Sequence, residues 1–565
     1  MSRLLSLLAC IILGVVMLLC GLLVPAHLRA VDTGIIAEAG RNTPGLTGCG
    51  LALVNDKNLG AARLLLQAAQ EEGMPDQEKL RSALGTLAKE NPSLQIWGSP
   101  ELSALNPSPS RPTGEEVRRT GEGGSQPVTE FVIHLQNRER VLEYLRASQR
   151  PAVQELLRFR TLTNTVLFPP SQSSSGQALD AALSICGLLL ESGHLTTGLN
   201  SSVSTLVAQA NRGGNTQPFE QVLMDFLSLG QRFDWGQMIE FVGHINDAET
   251  LRLSANLVRK ANGQLPVLFS AVHLSGNPAA VVQYLMSFSQ TGLKDLGSSL
   301  RSGVGGVNEL LRRNQRLHTS VFARNLGLDY CLQIPWLALT VKWSLYLLSG
   351  FLMAAAWRFA GSPASELERP LQVRGFHVAR EVLFALGFLL VVLLLSEPFL
   401  AQESQRVDFP FRLRLPMAGS VVPAGTPSVH KPIMSQPNLL TLLLFFVLQG
   451  LLYTASVVKL AEIRRQRVPQ NTKLKLLDNE DHLFDAGLYL GFLGTIISFI
   501  IFSLGVVKEF SLMVAYSSTS FGIIFVSIFK ILHLRPARRK LLLEAEAASK
   551  EPAGATAPQA LTVHL

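Results

Sequence analysis

Six long apolar runs constrain this chain more than any other feature of its sequence. Each has few charges and about 17 to 25 residues, the length that a helix needs to cross about 30 Å of hydrocarbon. They are residues 4–25, 334–357, 382–400, 439–458, 486–506 and 512–532. Only 16% of the 565 residues are charged, well below the quarter that is typical of soluble proteins. The sequence therefore predicts an all-α, multi-pass helical membrane protein with about six spans.

The first run is either an uncleaved anchor or a signal peptide. Arg3 supplies the short basic region that precedes the apolar part of a signal peptide. The run is longer than the apolar region of a usual signal peptide, and Leu28-Arg29-Ala30 lacks the small residues of a cleavage site. We favour an N-terminal membrane anchor over residues 1–30.

Basic residues predict the orientation of the spans. Lys and Arg cluster after the second, fourth and sixth runs, for example at Arg374, Arg464 and Arg538. Short loops rich in these residues stay in the cytoplasm, so both termini are expected there. The expected location is the inner membrane of a bacterial-type cell, with residues 31–330 in the periplasm. The net charge of +8 then reflects topology, and the lipid bilayer rather than nucleic acid is the expected partner.

Residues 31–330 read as a large extracytoplasmic α-helical domain. Helical spacing of apolar residues covers a small segment, 31–98, and a larger one, 128–330. Between them, residues 99–127 are rich in Pro, Gly and Ser and predict a disordered linker. A C-terminal membrane domain with five spans follows at 331–535, and a cytoplasmic tail at 536–565.

Capping residues predict the starts of two helices in the larger segment. Asn246 with Glu249 resembles a capping box, and Asn277 with Pro278 gives a cap and a first-turn proline for a helix expected to end at Gly292. The distance between the caps is close to the period of helix-hairpin repeats. A solenoid and a non-repetitive helical domain both stay open.

Chemistry-bearing motifs are sparse. The sequence has no HExxH, GxSxG, P-loop or CxxC pattern, and its extracytoplasmic histidines, His134, His194, His244 and His273, share no metal-ligand spacing. We expect no enzyme, no catalytic residue, no cofactor and no metal. Cys49 and Cys186 either pair in an oxidising compartment or stay free.

Two of the ionisable residues within the apolar runs, Lys342 and Glu397, have ordinary explanations. Lys342, near the start of the second run, is expected to extend its amine to the interface. Glu397 is expected at an interfacial helix end.

Small residues mark one face of each of the last two runs. Glycine and serine recur at helical spacing, which lets two helices approach closely while hydroxyls bond across the contact. The predicted helix-packing or pore-facing residues are Gly487, Gly491, Gly494, Thr495, Ser498, Ser518, Thr519 and Gly522.

The segments LGFLGT at 490–495 and STSFG at 518–522 resemble the GLLGT and TTAFG signatures of the MotA/TolQ/ExbB proton-channel family. The resemblance covers about 50 of the 565 residues. It implies a homo-oligomeric pore lined by two such helices, working with a single-span partner whose aspartate takes the proton. Thr495, Ser518 and Thr519 would then be pore-facing hydroxyls.

Taken together, these features favour a non-enzymatic inner-membrane protein. It would act as a scaffold or partner-binding component of an envelope complex, with a membrane or periplasmic protein as partner and possible homo-oligomers. The alternative is a proton-channel-like subunit, and a membrane enzyme comes third.

Overall fold

A computed structural model describes residues 2–91, 94–105, 125–162, 164–168, 177–261, 263–319, 327–360, 376–397, 436–466, 468–503 and 512–550. It divides into two compact units. The large unit contains Ala30–Gln333. The apolar unit contains the described residues before Ala30 and after Gln333. Both are built from helices, which confirms the predicted all-α class.

The large unit consists of many short helices and two short strands. In chain order these are β1 (Ala30–Asp32), α2 (Thr33–Gly40), α3 (Leu46–Asn55), α4 (Leu59–Glu71), α5 (Gln77–Glu90), α6 (Leu94–Trp97), α7 (Pro100–Leu105), α8 (Val128–Ile133), α9 (Leu135–Arg146), α10 (Pro151–Phe159), α11 (Gln177–Ser192), α12 (Thr197–Asn211), α13 (Gln217–Gly230), α14 (Trp235–Val242), α15 (Ala248–Lys260), α16 (Leu265–Ser275), α17 (Pro278–Leu300), α18 (Gly303–Arg313), β2 (Arg316–His318) and α19 (Leu328–Gln333). Of the linker predicted at 99–127, residues 100–105 are helical and 106–124 lie outside the described residues.

The apolar unit begins with α1 (Ser2–Leu23) and resumes after the large unit. Its further helices are α20 (Pro335–Ala360), α21 (Phe376–Ser396), α22 (Gln436–Arg465), α23 (Gln470–Asn479), α24 (Asp481–Phe484), α25 (Ala486–Ser503), α26 (Leu512–Phe529), a one-turn π-helix (Lys530–Leu534) and α27 (Arg535–Lys550). In this unit α1 packs on α20, α20 on α21, α21 on α22, and α26 on both α22 and α25.

Every apolar run predicted as a span contains a helix of this unit. Among the described residues, four helical stretches are long and apolar enough to cross a membrane: Leu4–Leu23, Pro335–Trp357, Phe445–Arg465 and Tyr516–Ala547. Phe384–Ser396 and Ala486–Ile496 are shorter apolar stretches. The chain is thus an all-α protein with several helices suited to a membrane.

One of the two predicted helix caps is confirmed, and the other lies one residue later than predicted. Asn277 caps α17 by accepting a hydrogen bond from the Ala280 amide at 3.1 Å, as expected. The α15 cap is Asp247, not Asn246, because the Asp247 carboxylate accepts from the Thr250 amide at 2.8 Å. Helix α17 continues beyond Gly292 and is kinked at Ser289, whose φ is 50°.

A parallel strand pair joins the two ends of the large unit. Ala30 pairs with Arg316 and Asp32 with His318. The Asp295 carboxylate holds the second strand, since it accepts from the Arg316 guanidinium at 2.6 Å and from the Leu317 amide at 3.1 Å. The segment that follows α1 and the segment that precedes α20 are therefore fastened together within this unit.

A buried polar junction links segment 31–98 to segment 128–330. Asn58 caps α4 by accepting from the Ala61 amide and donates to the Gly236 carbonyl at 2.9 Å. Gln237 donates to the Gly60 carbonyl at 3.1 Å. Two segments separated by the predicted linker thus share one set of hydrogen bonds.

Asp234 lies at the centre of this junction. It forms a capping box with Gln237 at the start of α14, and its carboxylate also accepts from the Ser125 hydroxyl. Burial raises the pKa of Asp234 to about 6, even though these hydrogen bonds act in the opposite direction. Gly98 approaches it so closely, with a φ of +75°, that a Cβ there would lie 2.5 Å from the carboxylate.

Candidate functional site: polar contacts among the apolar helices

Helices α25 and α26 approach each other along the predicted small-residue face. A Cβ on Gly491 would lie 2.8 Å from the Ser518 carbonyl oxygen, and one on Gly522 would lie 2.6 Å from the Gly487 carbonyl oxygen. A Cβ on Gly494 would lie 2.5 Å from the Ser518 hydroxyl. The two backbones can come this close only because no side chain stands between them.

Two threonines bond across this contact. The Thr495 and Thr519 hydroxyls lie 2.6 Å apart, and the Gly491 carbonyl oxygen lies 3.1 Å from the first and 3.2 Å from the second, within reach of a hydrogen bond from either. Thr495 is buried and Thr519 is half-buried. The structure therefore brings together the hydroxyls that sequence analysis singled out, while the Ser498 side chain lies outside the described residues.

Gln449 ties a third helix to the pair. Its amide donates to the Gly487 carbonyl at 3.0 Å from the facing side of α22. Its Oε1 is shielded from solvent and makes no hydrogen bond among the described residues. A small, partly open pocket beside it, also lined by Tyr453, Ser456 and Phe484, has a volume of about 10 Å³, room for one water molecule.

A buried ion pair joins three other parts of the unit. Lys342 on α20 donates to Glu397 at 3.0 Å and to the Ala26 carbonyl at 2.7 Å. Glu397 accepts in turn from the Leu28 amide at 2.9 Å, and its carboxylate lies 3.5 Å from His27 Nδ1. The Lys342 and Glu397 side chains are 1% and 0% exposed. The sequence predicted that the Lys342 amine extends to the membrane interface. Within this unit the amine is instead buried and pairs with Glu397.

The end of α26 carries a second set of polar contacts. Lys530 pairs with Asp485 at 2.7 Å, and the Tyr453 hydroxyl lies 2.8 Å from His533 Nε2. Around them, the residues between α22 and α25 fold into α23 and α24 rather than a plain loop. Leu477 of α23 and Phe484 of α24 form an apolar cluster with residues of three other helices, Leu460 of α22, Phe529 of α26 and Leu541 of α27.

Sequence reasoning missed the lysine–glutamate pair and the glutamine. Lys342 and Glu397 are 55 positions apart, so no local pattern connects them. Their positions within predicted spans did suggest a pair, because placing an unpaired charged residue in the membrane costs several kcal/mol. Searching for a residue of opposite charge near the end of a neighbouring run would have found this pair.

No family model, curated protein or solved structure matches this chain. The resemblance of residues 490–495 and 518–522 to the MotA/TolQ/ExbB family stays a prediction.

Proposed function

We propose that this chain is a non-enzymatic integral membrane protein that holds a large helical domain on the outer side of a bacterial-type inner membrane and uses that domain to bind a protein partner. The buried Lys342–Glu397 pair is the observation that supports it most. A charge pair shielded from water orders the helices that contribute to it, because leaving either charge alone in an apolar medium is costly. In this proposal the apolar unit is a rigid anchor.

The pair also lies where the chain passes between the two units. Ala26 and Leu28 directly precede the large unit, and α20 directly follows it. Lys342 and Glu397 together bond both backbone groups, so the two points where the chain leaves and rejoins the apolar unit are fixed by one charge pair. In this proposal, fixing both chain connections keeps the large domain attached to the membrane anchor in a way that suits partner binding.

Six spans with cytoplasmic termini complete this proposal. All six apolar runs contain helices, and the basic residues fall after the second, fourth and sixth of them. This arrangement puts residues 31–330 in the periplasm, where the partner would be a soluble or membrane-bound envelope protein. A solenoid arrangement within this domain stays a prediction.

Ile133 and Leu135 are the first surface residues to test for partner binding. They flank His134, whose extended backbone separates α8 from α9, and they are 60% and 57% exposed. Adjacent exposed apolar side chains are more common where another protein binds than elsewhere on a soluble surface. The test places a photo-crosslinking amino acid at Ile133 in living cells and isolates the full-length chain. A matched position is Lys79, an exposed residue on α5.

We expect one defined protein to crosslink at Ile133 and not at Lys79. Its co-purification should fall on Ile133→Asp and Leu135→Asp and survive Thr495→Val with Thr519→Val. The proposal fails if the full-length chain yields no crosslinked protein at either position, or if the threonine variants abolish partner binding while the surface variants leave it intact.

A second candidate, a proton-channel-like subunit, is favoured by one observation. Thr495 and Thr519, two of the residues that the family resemblance implies as pore-facing hydroxyls, lie side by side where α25 meets α26. Here the two hydroxyls bond to each other and to Gly491, so a water-filled path would need them to separate. Oligomers reconstituted with the co-purified membrane partner in dye-loaded vesicles should acidify the lumen if this candidate holds. Flux through the parent oligomers that equals the flux of vesicles without protein, or that is unchanged in Thr495→Val, would reject it.

A further inference from the structure

Glu240, His244 and His273 meet in the large unit, and among the described residues they are the one group of three metal-type ligands close enough to share an ion. Their candidate ligand atoms all lie within 4.8 Å of one another. Glu240 is in the last turn of α14, and His244 lies four positions after Glu240, just beyond the end of that helix. His273 is in the last turn of α16, so the cluster joins the ends of two helices.

The distances suit a shared ion. Glu240 Oε1 lies 2.9 Å from His273 Nδ1 and 3.3 Å from His244 Nε2. Two ligand atoms on a tetrahedral zinc ion are about 3.3 Å apart, given bonds of about 2.0 to 2.1 Å. The Glu240–His244 distance already matches this spacing, and the Glu240–His273 distance is shorter by a few tenths of an ångström.

The environment of His244 Nε2 is a further observation. His244 Nε2 is shielded from solvent and makes no hydrogen bond, although it lies 3.3 Å from the Glu240 carboxylate. Buried polar atoms almost always have a partner, and an exception calls for an explanation such as an ion. This nitrogen lies against the other two ligand atoms of the cluster.

The surroundings would hold the ligands in place. The His273 ring is stacked on Phe269 with an angle of 3° between the planes, and Phe269 is in turn stacked on Phe241. Phe269 and Phe241 are both buried. The left-handed Gly276 ends α16 shortly after His273 and fixes that helix terminus. Glu240, His244 and His273 are half-buried, so an ion could still reach them from solvent.

We propose that Glu240, His244 and His273 form a binding site for a divalent transition-metal ion of the zinc type. Two imidazoles and one carboxylate are ligands that zinc and its neighbours in the first row accept. Three protein ligands leave a fourth coordination position for water or for a side chain of a bound protein. The ion would join the end of α14 to the end of α16.

The alternative use of the cluster is a metal-free network in which Glu240 bonds the two histidines. That network would bind zinc no better than any other exposed histidine–glutamate pair.

The chain offers such a pair as a matched control. His194 Nε2 lies 2.7 Å from Glu101 Oε1, and no third ligand joins them among the described residues. The experiment uses the full-length chain in detergent, purified through a tag without histidine and treated with a chelator. Zn²⁺ is then titrated in competition with a zinc-binding dye, and Co²⁺ is titrated separately to record its visible spectrum.

We expect one high-affinity Zn²⁺ per chain and a Co²⁺ spectrum of low coordination number. His244→Ala, His273→Ala and Glu240→Gln should each weaken Zn²⁺ binding by at least about 10-fold, since even second-shell changes cost that much. His194→Ala should leave it unchanged. Circular dichroism identifies any variant that fails to fold, and the conservative Glu240→Gln keeps the test decisive. Equal Zn²⁺ affinity in the parent and all folded ligand variants, or an equal loss in His194→Ala, would overturn the proposal.

Discussion

Lys342 donates a hydrogen bond to Glu397 across 3.0 Å at a place where neither side chain meets solvent within the apolar unit. The same amine also bonds the Ala26 carbonyl, and the same carboxylate accepts from the Leu28 amide. One charge pair therefore fixes α20, the end of α21 and the chain that follows α1. Such a pair contributes specificity of arrangement more reliably than it contributes net stability.

Removing one partner of this pair should destabilise the apolar unit strongly. Lys342→Met leaves Glu397 buried without its main counter-charge, and breaking a buried pair in this way costs about 3 to 5 kcal/mol. The double variant Lys342→Met with Glu397→Gln should recover much of that loss because no buried charge is left. Thermal unfolding in detergent measures both.

The control is an ion pair on the more exposed surface of the same unit. Lys459 lies 3.6 Å from Glu462 and is 35% exposed, so Lys459→Met should cost no more than about 1 kcal/mol. Equal losses for Lys342→Met and Lys459→Met would show that the buried pair has no special structural role.

Gly491 should not tolerate even one added methyl group. A Cβ there would meet the Ser518 carbonyl at 2.8 Å, and backbone cannot move aside as a flexible side chain can. Gly491→Ala should therefore lower stability by about 1 to 3 kcal/mol, as overpacking does elsewhere. Gly450→Ala is the matched change, since nothing lies within 4 Å of a Cβ at that position. The idea is wrong if the two variants unfold at the same temperature.

Asn58 should hold the two segments of the large unit together. Asn58→Ala removes a helix cap and leaves the buried Gly236 carbonyl without its donor, a combined loss of about 1 to 3 kcal/mol. Hydrogen exchange should become faster in both α4 and α14. Asn277→Ala removes an exposed cap and should affect only the start of α17. Faster exchange confined to α4 in Asn58→Ala would count against the shared junction.

Asp234 should give the large unit a pH dependence of known sign. Its pKa is raised to about 6 in the fold, against about 3.9 in an unfolded chain. The native state therefore holds a proton that the unfolded state has lost between about pH 4 and 6, and stability from this group falls as pH rises through that window. Above pH 6 the loss is complete.

Asp234→Asn keeps a side chain that can cap α14 but removes the titration. The unfolding free energy of the variant, relative to the parent, should rise by about 2 to 3 kcal/mol between pH 4 and pH 7. Chemical unfolding of the full-length chain at both pH values measures this. A constant difference between the two proteins across that range would contradict the buried, titrating carboxylate.

Local features of the fold could be predicted because their causes are local. An uninterrupted apolar run can satisfy its backbone in a membrane only as a helix, and each of the six runs contains one. The Asn277 cap and the Pro278 that follows it depend on four adjacent residues, and both are found as predicted. The nearby cap at 246 was placed one residue too early because Asn246 and Asp247 are both good caps, and packing decided between them.

Contacts between distant residues could not be predicted in this way. Periodicity put the glycines and hydroxyls on one face of each closing helix, but only the fold shows that Thr495 bonds Thr519. Glu240 and His244 share a helix-type spacing that sequence analysis passed over. His273 joins them because α14 packs on α16, which no pattern in a single sequence reveals.

Cysteine labelling in intact cells tests the proposed membrane arrangement most directly. Single cysteines are introduced at two exposed positions, Ser201→Cys in the large unit and Ala547→Cys in α27, in a chain whose Cys49 is replaced by serine. The parent chain without the new cysteines gives the background, since Cys186 and Cys331 are buried. In spheroplasts, a membrane-impermeant maleimide should label Ser201→Cys and leave Ala547→Cys unlabelled until the membrane is permeabilised. Labelling of Ala547→Cys in intact spheroplasts, or protection of Ser201→Cys, would contradict an anchored domain on the outer side of the membrane.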